Sequence, residues 1–145
     1  MWPALLWRMS PDEERDEVAD VAARYGVDFI SMLAPTSDER IERVATGARG
    51  FLYLVSSLGV TGMRSEITTD IPAIVGRFWE VTDIPVAVGF GISSPQQAHA
   101  MAHASGGAIV GSAIVRLIAE YGENAVEPVK EFVASLRAGI DEGLA

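Results

Sequence analysis

Two short stretches hold the residue types best suited to chemistry. Val86-Ala87-Val88 runs into Gly89-Phe90-Gly91, and Ala108-Ile109-Val110 runs into Gly111-Ser112. Glycine at such points lets a ligand approach the backbone closely and tolerates unusual backbone angles. A helix start follows each turn, and a helix N-terminus presents unpaired N–H groups with a partial positive charge. Two such turns side by side, at the C-terminal ends of neighbouring parallel strands, make a cup for a phosphate group. The opposing reading is that these glycines serve only the strand-to-helix turns.

Further candidates surround the cup. Tyr53 lies in the strand-like run Phe51–Val55 and either reaches the site or fills the core. Gly59-Val60-Thr61-Gly62 opens a connection of about ten residues, and loops of that length are usually functional. Thr61 either supports a reacting group or only stabilises its turn, and Phe90, between two glycines, suits a pocket wall. Glu66 and Asp70 are the carboxylates near the cup, although Asp70, just before Ile71-Pro72, reads first as a helix cap. His99 and His103 stand four apart, the spacing of a two-histidine metal face. No Glu-Xaa-Xaa-His pattern or third ligand accompanies them, so they read as a solvated helix face.

Composition bounds the chemistry. The chain has 145 residues, 49% of them hydrophobic and 21% charged, with no cysteine and a formal net charge of −9. That length suits a single domain with a real core. Without cysteine there is no disulfide, thiolate nucleophile or cysteine zinc site, and an intracellular setting is permitted. The negative charge argues against nucleic-acid binding, which needs a basic surface. A phosphate cup built from backbone N–H groups needs no basic side chain. Met1–Met9 is apolar without a basic leader, and no apolar run approaches a membrane span.

The elements that must position these residues alternate between strand and helix. Ala4–Trp7 is a weak strand candidate. Ser10-Pro11-Asp12-Glu13 starts a helix whose Val18, Val21, Ala22 and Tyr25 share one face. Val27–Leu33 reads as a strand, and a helix with Ile41, Val44 and Ala45 as its apolar stripe follows Thr36-Ser37-Asp38-Glu39. Phe51–Val55 is the strongest strand signal. Ile71–Val81 reads as a helix with Ile74, Val75, Phe78 and Trp79 inward, and Ser94-Pro95-Gln96-Gln97 caps another ending near Ser105. Helices over roughly 113–121 and 126–138 close the chain, broken by Gly122-Glu123-Asn124. Short connections and apolar strands predict a parallel sheet covered by helices. The cup matches the site expected after the last two strands of an eight-stranded β/α barrel, but such a barrel needs about 250 residues.

Gly50–Ser56, Gly59–Gly62, Pro85–Ser93 and Gly111–Val115, in this order and spacing, resemble the second half of the tryptophan synthase alpha subunit family, from about Ser10 to Leu136. The resemblance implies a partial (β/α)8 TIM barrel of roughly the last four to five βα units, with residues 1–145 as one domain. It implies a lyase that cleaves indole-3-glycerol phosphate to indole and glyceraldehyde 3-phosphate. No metal or organic cofactor is implied, and the expected protein partner is the tryptophan synthase beta subunit. Carried over by motif, Gly62, Gly91, Gly111 and Ser112 hold the phosphate, Phe90 lines the indole pocket, Tyr53 sits near the catalytic carboxylates, and Thr61 supports one of them.

Two departures qualify the resemblance. The family's acid/base glutamate and its aspartate belong to the first half of the barrel and have no counterpart here. Arg8, in Trp7-Arg8-Met9, stands about where the family ends its fourth strand in aspartate, which points to a truncated product or a displaced start. Proton transfer to the indole ring and from the glycerol hydroxyl needs positioned carboxylates, so the expectation is binding without turnover. The alternatives are a non-catalytic phosphate-binding or self-assembling half-barrel module, since unpaired sheet edges seek partners, and another phosphate-binding barrel enzyme. The Gly59–Gly62 loop and the Gly89–Ile92 turn argue against that last reading.

Overall fold

The computed structural model describes residues 4–7, 19–33, 38–55, 70–89 and 91–142, with backbone alone at 4–7, 29 and 38–40. Five strands form one sheet in chain order: β1 (Ala4–Trp7), β2 (Asp28–Leu33), β3 (Leu52–Val55), β4 (Val86–Gly89) and β5 (Ala108–Ile109). Every neighbouring pair is parallel. Their C-terminal ends therefore share one edge of the sheet, where ligands bind in parallel α/β folds.

The helices are α1 (described over 19–24), α2 (Asp38–Gly47), α3 (Ile71–Val81), α4 (Pro95–Ser105), α5 (Ser112–Tyr121) and α6 (Val126–Asp141). Gly122–Asn124 forms a short 3₁₀ turn between the last two. Side chains alternate across a strand, and this sheet uses the alternation sharply. Leu52, Leu54, Val86 and Val88 are fully buried against α2 and α3, in a core with Leu33, Ile41, Val44, Ala45, Ile71, Val75 and Phe78. Each such large apolar side chain contributes about 1.5–3 kcal/mol through burial. Tyr53, Val55 and Ala87 lie on the opposite face and are only half-buried.

A second, smaller cluster sits beside the site. Ile92, Ala98 and Leu136 pack with Met101, Ala108, Val110, Phe132 and Ile140, joining α4, β5 and α6. The two helices meet closely: a β-carbon at Gly139 would stand 2.9 Å from Pro95 Cβ.

The inward assignment of Trp79 is overturned, and the shared apolar face of the first helix is not covered by its described surroundings. Val21 and Tyr25 of the first helix are exposed, Tyr25 at 78%, and Trp79 is half-exposed. A helical stripe states which residues share a face, whereas burial needs a second element against that face. Trp79 falls on the flank of α3, beyond the reach of Ile71, Val75 and Phe78, which do enter the core. The cap signals at Ser10 and at Thr36-Ser37 lie outside the described residues. No described helix is long and apolar enough to cross a membrane.

Candidate functional site

The site residues that can be placed converge on the C-terminal edge of β3, β4 and β5. The register sets Val55 beside Gly89 and Gly89 beside Ile109. Tyr53, two residues before the end of β3, leans across to β4. A β-carbon at Gly89 would overlap the Tyr53 hydroxyl, stand 2.6 Å from its Cζ, and stand 3.1 Å from Ile109 Cβ. Glycine at 89 is thus a space requirement: it leaves room for the phenol. Burial raises the Tyr53 pKa above its ordinary value of 10.0, because the phenolate would lose hydration. The hydroxyl stays protonated at neutral pH and makes no hydrogen bond to any described residue. It is therefore a free donor at the strand ends.

Gly91 has a different reason to be glycine. Its φ is +76°, a left-handed conformation that side-chain-bearing residues disfavour. The turn then runs through buried Ile92 into a tightly bonded helix start. Ser94 Oγ accepts from Gln97 N at 3.2 Å, and Gln97 Oε1 accepts from Ser93 N at 2.8 Å. Pro95 occupies the first turn of α4, as the Ser-Pro-Gln-Gln pattern predicts.

The second turn is looser. Gly111 precedes α5 with φ −119°, and a β-carbon there would meet nothing within 4 Å. The expectation of unusual backbone angles is therefore corrected at this position: no steric need for glycine exists. Its carbonyl receives Ile114 N at 2.9 Å and Val115 N at 3.0 Å, while no side chain caps α5. The first N–H groups of α5 have no partner within the helix. Gly111 and Ser112 are exposed.

The remaining candidates divide. Thr61, Gly62, Glu66 and Phe90 lie outside the described residues. Asp70 caps α3, with Oδ1 accepting from Ala73 N at 3.1 Å, which agrees with its reading as a cap. His99 corrects the picture of a solvated pair: it is half-buried, and its Nδ1 lies 3.0 Å from the Gly139 carbonyl of α6. Among the described residues no group of three or more His, Cys, Asp or Glu side chains could hold a metal. A cavity of about 270 Å³ lies away from the strand ends, between α2 and α3, lined by Ile41, Glu42, Arg77, Glu80 and Val81. The sequence reading missed the dependence of Gly89 on Tyr53. A tyrosine one strand away from a glycine is its only trace, and it becomes legible only with the register known.

Comparison with known proteins places this arrangement. The family model for the tryptophan synthase alpha chain matches residues 4–142. A tryptophan synthase alpha chain of Lacticaseibacillus casei is 43% identical over 131 residues, covering 90% of this chain and 49% of the relative. That of Caldanaerobacter subterraneus is 48% identical, covering 88% and 49%. Among solved structures, Mycobacterium tuberculosis tryptophan synthase superposes with a TM-score of 0.78 at 34% identity, covering 95% of this chain and 51% of that one. The tryptophan synthase α2β2 complex of Pyrococcus furiosus gives a TM-score of 0.79 at 32% identity, covering 94% and 56%. The chain spans about half the length of the curated relatives it matches. Its sheet is correspondingly the later part of a TIM barrel. By sequence and by fold, the chain belongs to the tryptophan synthase alpha chain family.

Proposed function

We propose that this chain carries the phosphate-holding half of a lyase site that cleaves indole-3-glycerol phosphate to indole and glyceraldehyde 3-phosphate in tryptophan biosynthesis. The observation that carries the reading is the meeting of Tyr53, Gly89, Gly91 and the open start of α5 on one edge of a parallel sheet. In this reading the N–H groups at Gly62, Gly91, Gly111 and Ser112 hold the phosphate, Phe90 borders the indole, and Thr61 supports the reacting groups. The Tyr53 hydroxyl donates toward the glycerol side, where burial keeps it protonated. The relevant partner is a tryptophan synthase beta subunit, by analogy with the α2β2 assembly of the Pyrococcus furiosus relative.

The acid and base of the reaction fall outside this proposal for Tyr53 and the cup. Asp70, the one described carboxylate near the loop, is committed to capping α3. The reading therefore predicts that this chain binds the phosphate of its ligand without cleaving it. The test is a titration with glyceraldehyde 3-phosphate followed by amide chemical shifts, beside an assay for indole release on the same folded sample. Shifts confined to Gly62, Gly91, Gly111 and Ser112, with no indole formed, support the proposal. Indole release above the uncatalysed rate would move the acid/base role onto carboxylates of this chain, and unshifted cup amides would remove the phosphate site.

A second reading is favoured by one observation. Among the described residues, β1 pairs only with β2 and β5 only with β4, so both sheet edges are open. A phosphate-binding module that self-assembles through those edges would show a mass that rises with concentration, while a constant monomer mass would exclude it.

A further inference from the structure

The two histidines of the chain do not belong to the site just described, and they are placed for a different task. His99 and His103 lie one turn apart on α4 with ring centroids 6.0 Å apart and planes within 4° of parallel. A carbonyl oxygen only accepts, so the contact between His99 Nδ1 and the Gly139 oxygen at 3.0 Å puts the proton on Nδ1. In the neutral ring, Nε2 is then the nitrogen that carries the lone pair. A histidine fixed through one nitrogen by a carbonyl, with the other free, is the arrangement that metal-ligating histidines adopt. His103 is exposed, and no described residue hydrogen-bonds to its ring. It is free to turn its own nitrogen toward the same point. Two imidazoles at i and i+4 have the helical spacing of zinc-binding histidine pairs; the rings now lie parallel, so the exposed His103 ring must rotate for both nitrogens to reach one ion at about 2.0–2.1 Å.

We propose that His99 and His103 of α4 form a two-imidazole site for one divalent transition-metal ion, built from residues that the proposed phosphate cup does not use. No third protein ligand joins them among the described residues, so water completes the coordination. Imidazole donors suit copper, nickel and zinc, and the ordering of divalent ions makes Cu(II) the tightest. The ion ties two turns of α4, and through the His99–Gly139 contact it strengthens the packing of α4 on α6. This site is independent of the lyase reading and stands or falls without it.

The experiment is calorimetric titration of the purified chain with Cu(II) in a non-chelating buffer, with electron paramagnetic resonance on the one-to-one sample. The expected result is one ion per chain, two coordinated imidazole nitrogens in the spectrum, and a raised melting temperature with the ion bound. His103→Ala, at an exposed position, leaves the metal-free melting temperature unchanged and weakens binding by about tenfold or more. A spectrum with fewer than two imidazole nitrogens overturns the proposal on the unaltered chain alone. Affinity unchanged in His103→Ala does so too, since it would assign the ion to the N-terminal amine or to carboxylates.

Discussion

The two glycine turns at the strand ends read almost alike along the chain, yet they are built differently. The described residues of the turn after β4 are each constrained. Gly89 is buried under the Tyr53 phenol, Gly91 is left-handed, and Ser93, Ser94 and Gln97 lock the start of α4. The turn after β5 is open. Gly111 has an ordinary φ and free space around its α-carbon, and no side chain caps the helix it precedes. The comparison teaches that one residue type in one motif can answer to crowding, to backbone handedness, or to neither. Under the proposed function, the constrained turn sets where the phosphate sits, and the uncapped helix start beside it supplies donors.

Substitutions can break this contrast. Gly89→Ala should cost most, about 1–3 kcal/mol by overpacking, because its methyl meets both Tyr53 and Ile109. Denaturant unfolding would measure the loss, and the Tyr53 ring resonances should move with it. If Gly89→Ala is silent, the close approach is not a real constraint. Gly91→Ala should follow at about 1–2 kcal/mol, the cost of holding a side-chain-bearing residue left-handed, with the same measurement.

A pH experiment probes the phenol itself. The folded pKa of Tyr53 is raised above 10.0 by desolvation, so the unfolded chain loses this proton first as pH rises. Its contribution to stability is complete below pH 10 and is lost as the pH climbs toward the folded value. Tyr53→Phe should therefore flatten the fall in stability above pH 10. An unchanged alkaline slope would mean the hydroxyl is well hydrated. The smallest effect belongs to Gly111→Ser, which places a better capping residue in open space and should stabilise by a few tenths of a kcal/mol. Under the lyase reading it also weakens glyceraldehyde 3-phosphate binding, because its hydroxyl competes for the donors of α5. A Gly111→Ser loss as large as that of Gly91→Ala would end the distinction between the turns.

Much of this molecule was written in local sequence. Apolar runs marked β3, β4 and β5 within a residue or so, the last two ended by glycine, since a short buried strand needs little beyond apolar side chains and a turn. The helix over Ile71–Val81 has the predicted bounds, because Asp70 and Pro72 define its start through their own geometry. The Ser-Pro-Gln-Gln start of α4 was equally legible, as its capping bonds from Gln97 N to Ser94 and from Ser93 N to Gln97 fall within four residues. The four motifs in order also sufficed to name the family, which the comparisons bear out.

What local sequence could not decide depends on partners distant in the chain. Val21, Tyr25 and Trp79 have the periodicity of inward residues yet are exposed, because periodicity selects a face and only a neighbouring element covers it. His99 looked solvated until α6 brought Gly139 to its ring from 40 residues away. The need for glycine at 89 arises from Tyr53 on the adjacent strand, and the absence of that need at 111 from empty space. Sequence by itself determined the elements, the order of the turns and the family, since hydrogen bonds between near neighbours and apolar pattern govern these. Tertiary structure decided which glycine is indispensable and which side chain is free to bind, because both depend on what the fold places within a few ångströms.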